Sequence, residues 1–119
     1  MARILIAEDE GSLANLYKLV LKKHGHEIIA AVPSGDELVC AFKNAKPKPD
    51  LVILDHRLEK MSGIDALKEL LQIDPCTKVL FASADDSIME DAISQGAVDY
   101  IGKPFSMEEL VEVVNGCLG

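Results

Sequence analysis

Short apolar runs alternate along this chain with longer stretches whose apolar residues recur at helical spacing. Arg3–Ala7, Leu51–Leu54 and Val79–Ala82 are almost continuously apolar, the pattern of strands covered on both faces. Glu27–Val32 reads as a weaker strand and Tyr100–Gly102 as a short one. Between them, Ser12–His24 carries Leu13, Leu16, Tyr17, Val20 and His24 on one helical stripe. The same period turns Leu38, Val39 and Phe42 inward in Ser34–Ala45. It does so for Ile64, Leu67, Leu70 and Leu71 in Ile64–Ile73, and for Leu110, Val111, Val114 and Leu118 in Met107–Leu118. Ser87–Gln95 is a shorter fourth helix. Gly25 and Gly96 stop the first and fourth helices, Lys46-Pro47-Lys48-Pro49 breaks the second, and Pro75 closes the third.

Helix starts carry a repeated signal. Ser34…Glu37, Ser62…Asp65, Ser87…Glu90 and Ser106…Glu109 all have the Ser-x-x-acid spacing, in which the hydroxyl accepts the third backbone N–H. The result is five βα units, hence an α/β fold with a doubly wound five-stranded parallel sheet and one domain spanning residues 1–119. Right-handed crossovers leave few strand orders. One of them, 2-1-3-4-5, sets strands 1 and 3 side by side at a switch point and brings Glu8-Asp9 beside Asp55.

Composition narrows the function. Hydrophobic residues make up 49% of the chain and aromatics 4%, so the core is aliphatic and needs no disulfide or structural metal. The net charge of −8, with no Lys/Arg block, argues against nucleic-acid backbones and anionic membranes as partners. Cys40, Cys76 and Cys117 are scattered without a Cys-x-x-Cys, and are expected to be reduced and mostly packed. No apolar run reaches the roughly 18 residues of a membrane span. A cytoplasmic protein is the expectation.

The chemistry collects where strands end. Glu8-Asp9, Asp55, Ser83 and Lys103 each close an apolar run, and ligands of open parallel sheets bind at those carboxyl ends. Crowded carboxylates either take a proton or share a cation. An all-oxygen set without His or Cys suits a hard ion, best Mg²⁺ (or Mn²⁺), which keeps waters and uses one or two carboxylates plus phosphate oxygens. Asp55 is the candidate nucleophile toward a phosphoryl group. Lys103 would neutralise a phosphate oxygen and Ser83 would offer a hydroxyl, since positioning and charge neutralisation are most of what phosphoryl transfer requires. Taken singly, each residue also reads as a loop, cap or solvated charge; the joint pattern carries the argument.

Five motifs together carry a resemblance: Ile4-Leu5-Ile6-Ala7-Glu8-Asp9-Glu10, Leu51-Val52-Ile53-Leu54-Asp55, Met61-Ser62-Gly63-Ile64-Asp65, Leu80-Phe81-Ala82-Ser83-Ala84 and Tyr100-Ile101-Gly102-Lys103-Pro104-Phe105. The chain resembles the receiver domain of two-component response regulators, close in scale to the stand-alone chemotaxis type. The resemblance implies the flavodoxin-like (βα)5 fold, and the 2-1-3-4-5 order comes with it, because that order is known from this family. It also implies that Asp55 accepts phosphate from a sensor histidine kinase or a phosphotransfer protein. Asp9, Asp55 and the backbone carbonyl of Arg57 would hold the metal directly and Glu8 through water. Lys103 and Ser83 would contact the phosphoryl group, and Tyr100 would turn inward behind it. The Lys103–Pro104 bond is expected to be cis.

Three departures accompany the resemblance. Glu8 stands where aspartate is common, lengthening one arm of the metal site, Ser62 stands where proline is frequent, and Ser83 replaces a frequent threonine. Arg57 and Asp85 each lie two residues past a key strand end. They are expected to form an opposite-charge gate that slows attack by water. His56 would point away from Asp55 by strand alternation. Phosphorylation would reach a surface formed by helix 4, strand 5 and helix 5, with Ile88, Met89, Ile93 and Tyr100, for an unknown protein target. Within residues 1–119 a single receiver-like domain without an output domain is expected. An aspartate-nucleophile phosphatase, a receiver-like scaffold that takes no phosphate and a flavin carrier are the alternatives. The first usually has an acid two residues past the nucleophile, where Arg57 stands, and the last lacks stacking aromatics.

Overall fold

In the computed structural model, which describes residues 2–119, each apolar run lies in a strand and each periodic stretch contains a helix. The strands are β1 (Arg3–Ala7), β2 (Glu27–Val32), β3 (Leu51–Asp55), β4 (Val79–Ser83) and β5 (Asp99–Gly102). The helices are α1 (Gly11–Lys23), α2 (Gly35–Asn44), α3 (Gly63–Ile73), α4 (Met89–Ser94) and α5 (Met107–Leu118). All strand pairs are parallel, in the order β2-β1-β3-β4-β5. β3 and β4 are buried along their whole length, as continuous apolarity requires, whereas edge strand β2 is only half-buried.

Strand alternation divides the core in two. Ile4 and Ile6, Leu51 and Ile53, Leu80 and Ala82, and Ile101 face α1 and α5, where Tyr17, Leu21, Leu110 and Val114 meet them. Leu5 and Ala7, Val52 and Leu54, and Val79 and Phe81 face α2 and α3, against Leu38, Phe42, Leu67 and Leu70. The next residue along several rows of the first face is a site residue. Glu8 follows Ile6, Asp55 follows Ile53 and Lys103 follows Ile101, each at a spacing of two.

Helix boundaries follow their caps. The hydroxyls of Ser34, Ser62 and Ser106 accept the backbone N–H groups of Glu37, Asp65 and Glu109, as the spacing predicts. Ser87 does not. The segment opens with a 3-10 turn, Asp86–Ile88, capped by Asp85, whose carboxylate accepts the Ser87 N–H at 3.0 Å and its hydroxyl at 2.6 Å. The α-helix therefore starts only at Met89, because a second acceptor two residues upstream outcompetes the Ser-x-x-Glu arrangement. In α1 the buried face is Ala14, Tyr17 and Leu21, while Leu16 is 41% exposed. The expected stripe is thus rotated toward its small residue. Cys40 and Cys76 are exposed and only Cys117 is buried, against the expectation of mostly packed thiols. Gly25 and Gly96 adopt positive φ at the ends of their helices, as helix-stopping glycines do. The Lys103–Pro104 bond is cis, as expected, and so is Lys46–Pro47.

The loop from β3 to α3 is held by close backbone approach. A Cβ on Gly63 would lie 2.6 Å from both the Asp55 carbonyl oxygen and the His56 Cα. Both are backbone atoms directly under the site and cannot step aside cheaply. Gly63→Ala is therefore expected to destabilise the fold by about 1–3 kcal/mol, read as a lower urea midpoint. An unchanged midpoint would contradict this packing.

Candidate functional site

The strand ends gather the polar residues into one cleft. It is lined by Glu8, Asp9, Asp55, Ser83 and Lys103, with the loop from Arg57 to Ser62 and Asp85 at its rim. β1 and β3 pair so that Ala7 lies beside Leu54, which sets Glu8 next to Asp55. The backbone N–H of Glu8 donates to the Val32 carbonyl at 2.9 Å, and that of Lys103 to the Ser83 carbonyl at 2.9 Å. The sheet's hydrogen bonding thus extends to the residues that bear the chemistry.

Glu8, Asp9 and Asp55 each bring a carboxylate oxygen within 4.8 Å of the other two. Glu8 and Asp55 are buried and Asp9 is exposed. The Lys103 ammonium donates to Glu8 Oε1 at 2.7 Å and lies 3.3 Å from Asp55 Oδ1. Glu8 Oε2 also accepts the Glu10 N–H at 3.1 Å. Burial raises the pKa of Glu8 above its ordinary value, against the opposing hydrogen bond from Lys103, and the Asp55 charge raises it further. Burial likewise raises Asp55, again against Lys103, with the Asp9 charge adding to the rise. Two bonds from an ammonium would by themselves lower both carboxylates; desolvation of paired charges outweighs them. For Lys103, burial works to lower the pKa, but the Glu8 hydrogen bond and the Asp55 and Glu8 charges hold it above its usual value. The donor set is all oxygen, crowded and partly desolvated, which fits a hard divalent cation.

Ser83 is buried, and its Oγ accepts the Asp85 N–H at 2.9 Å. Tyr100 is already turned inward. Its hydroxyl is shared between the carbonyls of Ser83 at 3.1 Å and Asp85 at 3.2 Å, and its ring stacks on Phe81 at 6.5 Å. His56 points away from Asp55, as alternation predicts, and packs on Phe81 from the other side at 5.8 Å. This ladder of His56, Phe81 and Tyr100 spans the α3 face beneath the site and was not foreseen, because the residues lie on different strands. Arg57 and Asp85 both reach the rim but form no ion pair within 4.0 Å among the described residues. The Asp85 carboxylate is occupied by Ser87, and those hydrogen bonds hold its pKa below the ordinary range. The opposite-charge pair expected from the sequence is not formed in this structure. Met89 and Ile93, on the expected output surface, are exposed, and Ile88 packs on the core.

The profile of the response regulator receiver domain matches residues 4–115, and the chain belongs to that family, whose members are the phosphoacceptor modules of two-component signalling. The chain is 36% identical over 115 residues to the chemotaxis protein CheY of Thermotoga maritima, covering 95% of this chain and 94% of that protein. It is 38% identical over 118 residues to CheY of Bacillus subtilis, covering 98% and 97% respectively. Among solved structures, the CheX-CheY-BeF3-Mg²⁺ complex of Borrelia burgdorferi superposes with a TM-score of 0.93 at 27% identity, over 98% of this chain and 89% of that one. The flavodoxin-like fold expected from the sequence is thus the one found. No helix of the described residues is long and apolar enough to cross a membrane.

The raised carboxylates make stability depend on pH. Folded Glu8 and Asp55 hold protons above the pKa each has in the unfolded chain, so the folded state binds more protons in that interval. Stability therefore falls as pH rises through it. The Lys103 contribution has the opposite location: it is complete below the ordinary lysine value and disappears only as pH passes the raised folded one. Asp55→Asn is accordingly expected to melt higher than the wild type at pH 7 in metal-free buffer, with a shallower decline from acid to neutral pH. A lower melting temperature would mean that the Lys103 bond, not burial, dominates Asp55.

Proposed function

We propose that Asp55 is the phosphoacceptor, taking a phosphoryl group from a phosphohistidine of a sensor histidine kinase or phosphotransfer protein. A carboxylate oxygen forms the O–P bond as the N–P bond of the donor breaks, and the electron pair returns to the imidazole, which takes up a proton. The observation that carries this reading is the Lys103 ammonium lying 3.3 Å from the Asp55 carboxylate inside a carboxylate cluster. Asp9, Asp55 and the Arg57 carbonyl would hold Mg²⁺ (or Mn²⁺), with Glu8 acting through water. The ion supplies charge neutralisation for the incoming phosphoryl oxygens. Lys103 moves from Glu8 toward a phosphoryl oxygen, and Ser83 turns its hydroxyl from the loop to another. Loss of that Ser83 contact reaches the loop whose carbonyls anchor Tyr100. The faces of α4, β5 and α5, with Met89 and Ile93 exposed, then present a changed surface to a protein target. The chain acts as one regulatory domain rather than as a turnover enzyme.

Treatment with acetyl phosphate and Mg²⁺, followed by intact-mass measurement, tests this. The wild type is expected to gain one phosphate and Asp55→Asn none. No gain in the wild type would leave a receiver-like scaffold that takes no phosphate.

Arg57 and Asp85 would close over the phosphorylated residue, once Asp85 releases Ser87, and obstruct water. Arg57→Ala is expected to shorten the phosphoryl half-life severalfold in a dephosphorylation time course. An unchanged half-life would dismiss the gate.

A further inference from the structure

Tyr17 is buried in α1 at 1% exposure, yet its hydroxyl has no hydrogen-bond partner among the described residues. A buried phenol normally finds one, and an unmet donor is expensive. Its position is specific. Tyr17 packs in the core beneath Ile6, Ile53 and Ile101, whose rows continue directly into Glu8, Asp55 and Lys103. Its ring stacks on Phe105 at 5.9 Å and an interplanar angle of 15°, two residues past Lys103. Burial, and then the charges of Glu8, Asp55 and Glu10 in that order, raise the phenol's pKa, so the hydroxyl stays protonated. The carboxylate that contributes most is Glu8, the long arm that Lys103 now occupies.

We propose that Tyr17 is a positioning residue for Glu8: its hydroxyl is the donor that the Glu8 carboxylate takes, directly or through one water, when Lys103 is drawn to a phosphoryl group on Asp55. The ring meanwhile carries Phe105, and with it the loop that delivers the lysine. Glutamate at position 8 reaches farther than aspartate, and Tyr17 lies in the core cluster of Ile6, two residues back along the Glu8 row. The inference rests on the phosphoacceptor reading.

The test measures calorimetric affinity for Mg²⁺ with beryllium fluoride, and the melting temperature in metal-free buffer, for the wild type and Tyr17→Phe. The variant keeps the ring and loses only the donor. It is expected to melt at or above the wild-type temperature and to bind the phosphoryl mimic about tenfold more weakly. Opposite movement of stability and affinity is what a merely structural tyrosine would not produce. Affinity within about twofold of wild type, or a loss of affinity matched by a lower melting temperature, would overturn the role. Tyr17→Leu, which removes the ring as well, should weaken binding further by loosening Phe105; binding equal to that of Tyr17→Phe would overturn the platform. Absence of binding by the wild type would instead sink the phosphoacceptor reading on which the role depends.

Discussion

Two carboxylates, Glu8 and Asp55, are buried side by side at the ends of adjacent strands, and one ammonium, that of Lys103, lies between them. Ionised acids are seldom buried without a partner. Here burial outweighs the one cation that serves both acids, so both keep raised pKa values even while bonded. A buried ion cluster of this kind is poor stabilisation. What it provides is a pair of carboxylates held in place, short of positive charge and beside one shared ammonium. A divalent cation or a phosphoryl group would each complete the balance of charge in a different way.

The sheet makes that cluster unavoidable. Ile4 and Ile6, Leu51 and Ile53, and Ile101 hold their strands against α1 and α5, and the alternation that buries them aims Glu8, Asp55 and Lys103 the same way. The opposite alternation aims Phe81, His56 and Tyr100 at the other face, where Tyr100 stacks on Phe81 and His56 packs against it at a tilt. Ser83 ends β4, and both its hydroxyl and its carbonyl hold the β4–α4 loop through Asp85 and Tyr100. The site and the inward tyrosine therefore lie on opposite faces of one sheet edge and share a single strand end. A change at that end has somewhere to go.

Much of this was legible in the sequence, for physical reasons. Continuous apolarity over Leu51–Leu54 and Val79–Ala82 permits little but a central parallel strand, and a polar residue directly after each run must lie at the sheet edge. Three of the four serine caps follow from spacing alone. Legibility ended where several local solutions competed. The start of α4 turned on Asp85 capturing Ser87 ahead of Glu90. The face of α1 turned on Ala14 fitting against the sheet more closely than Leu16. The Arg57–Asp85 gate was inferred from sign and position; in this structure the Asp85 carboxylate instead accepts the hydroxyl of its neighbour Ser87. Tyr17 was readable as a core position, but its unmet hydroxyl appears only once α1 is docked beneath the acids.

The most direct test of the central arrangement is a carbon-detected NMR titration of the Glu8 and Asp55 side-chain carboxyls in metal-free buffer, repeated with Mg²⁺. Both groups should titrate above the usual carboxylate range and drop when the ion is added. Ordinary values for both, unmoved by Mg²⁺, would contradict a buried cluster sharing one ammonium.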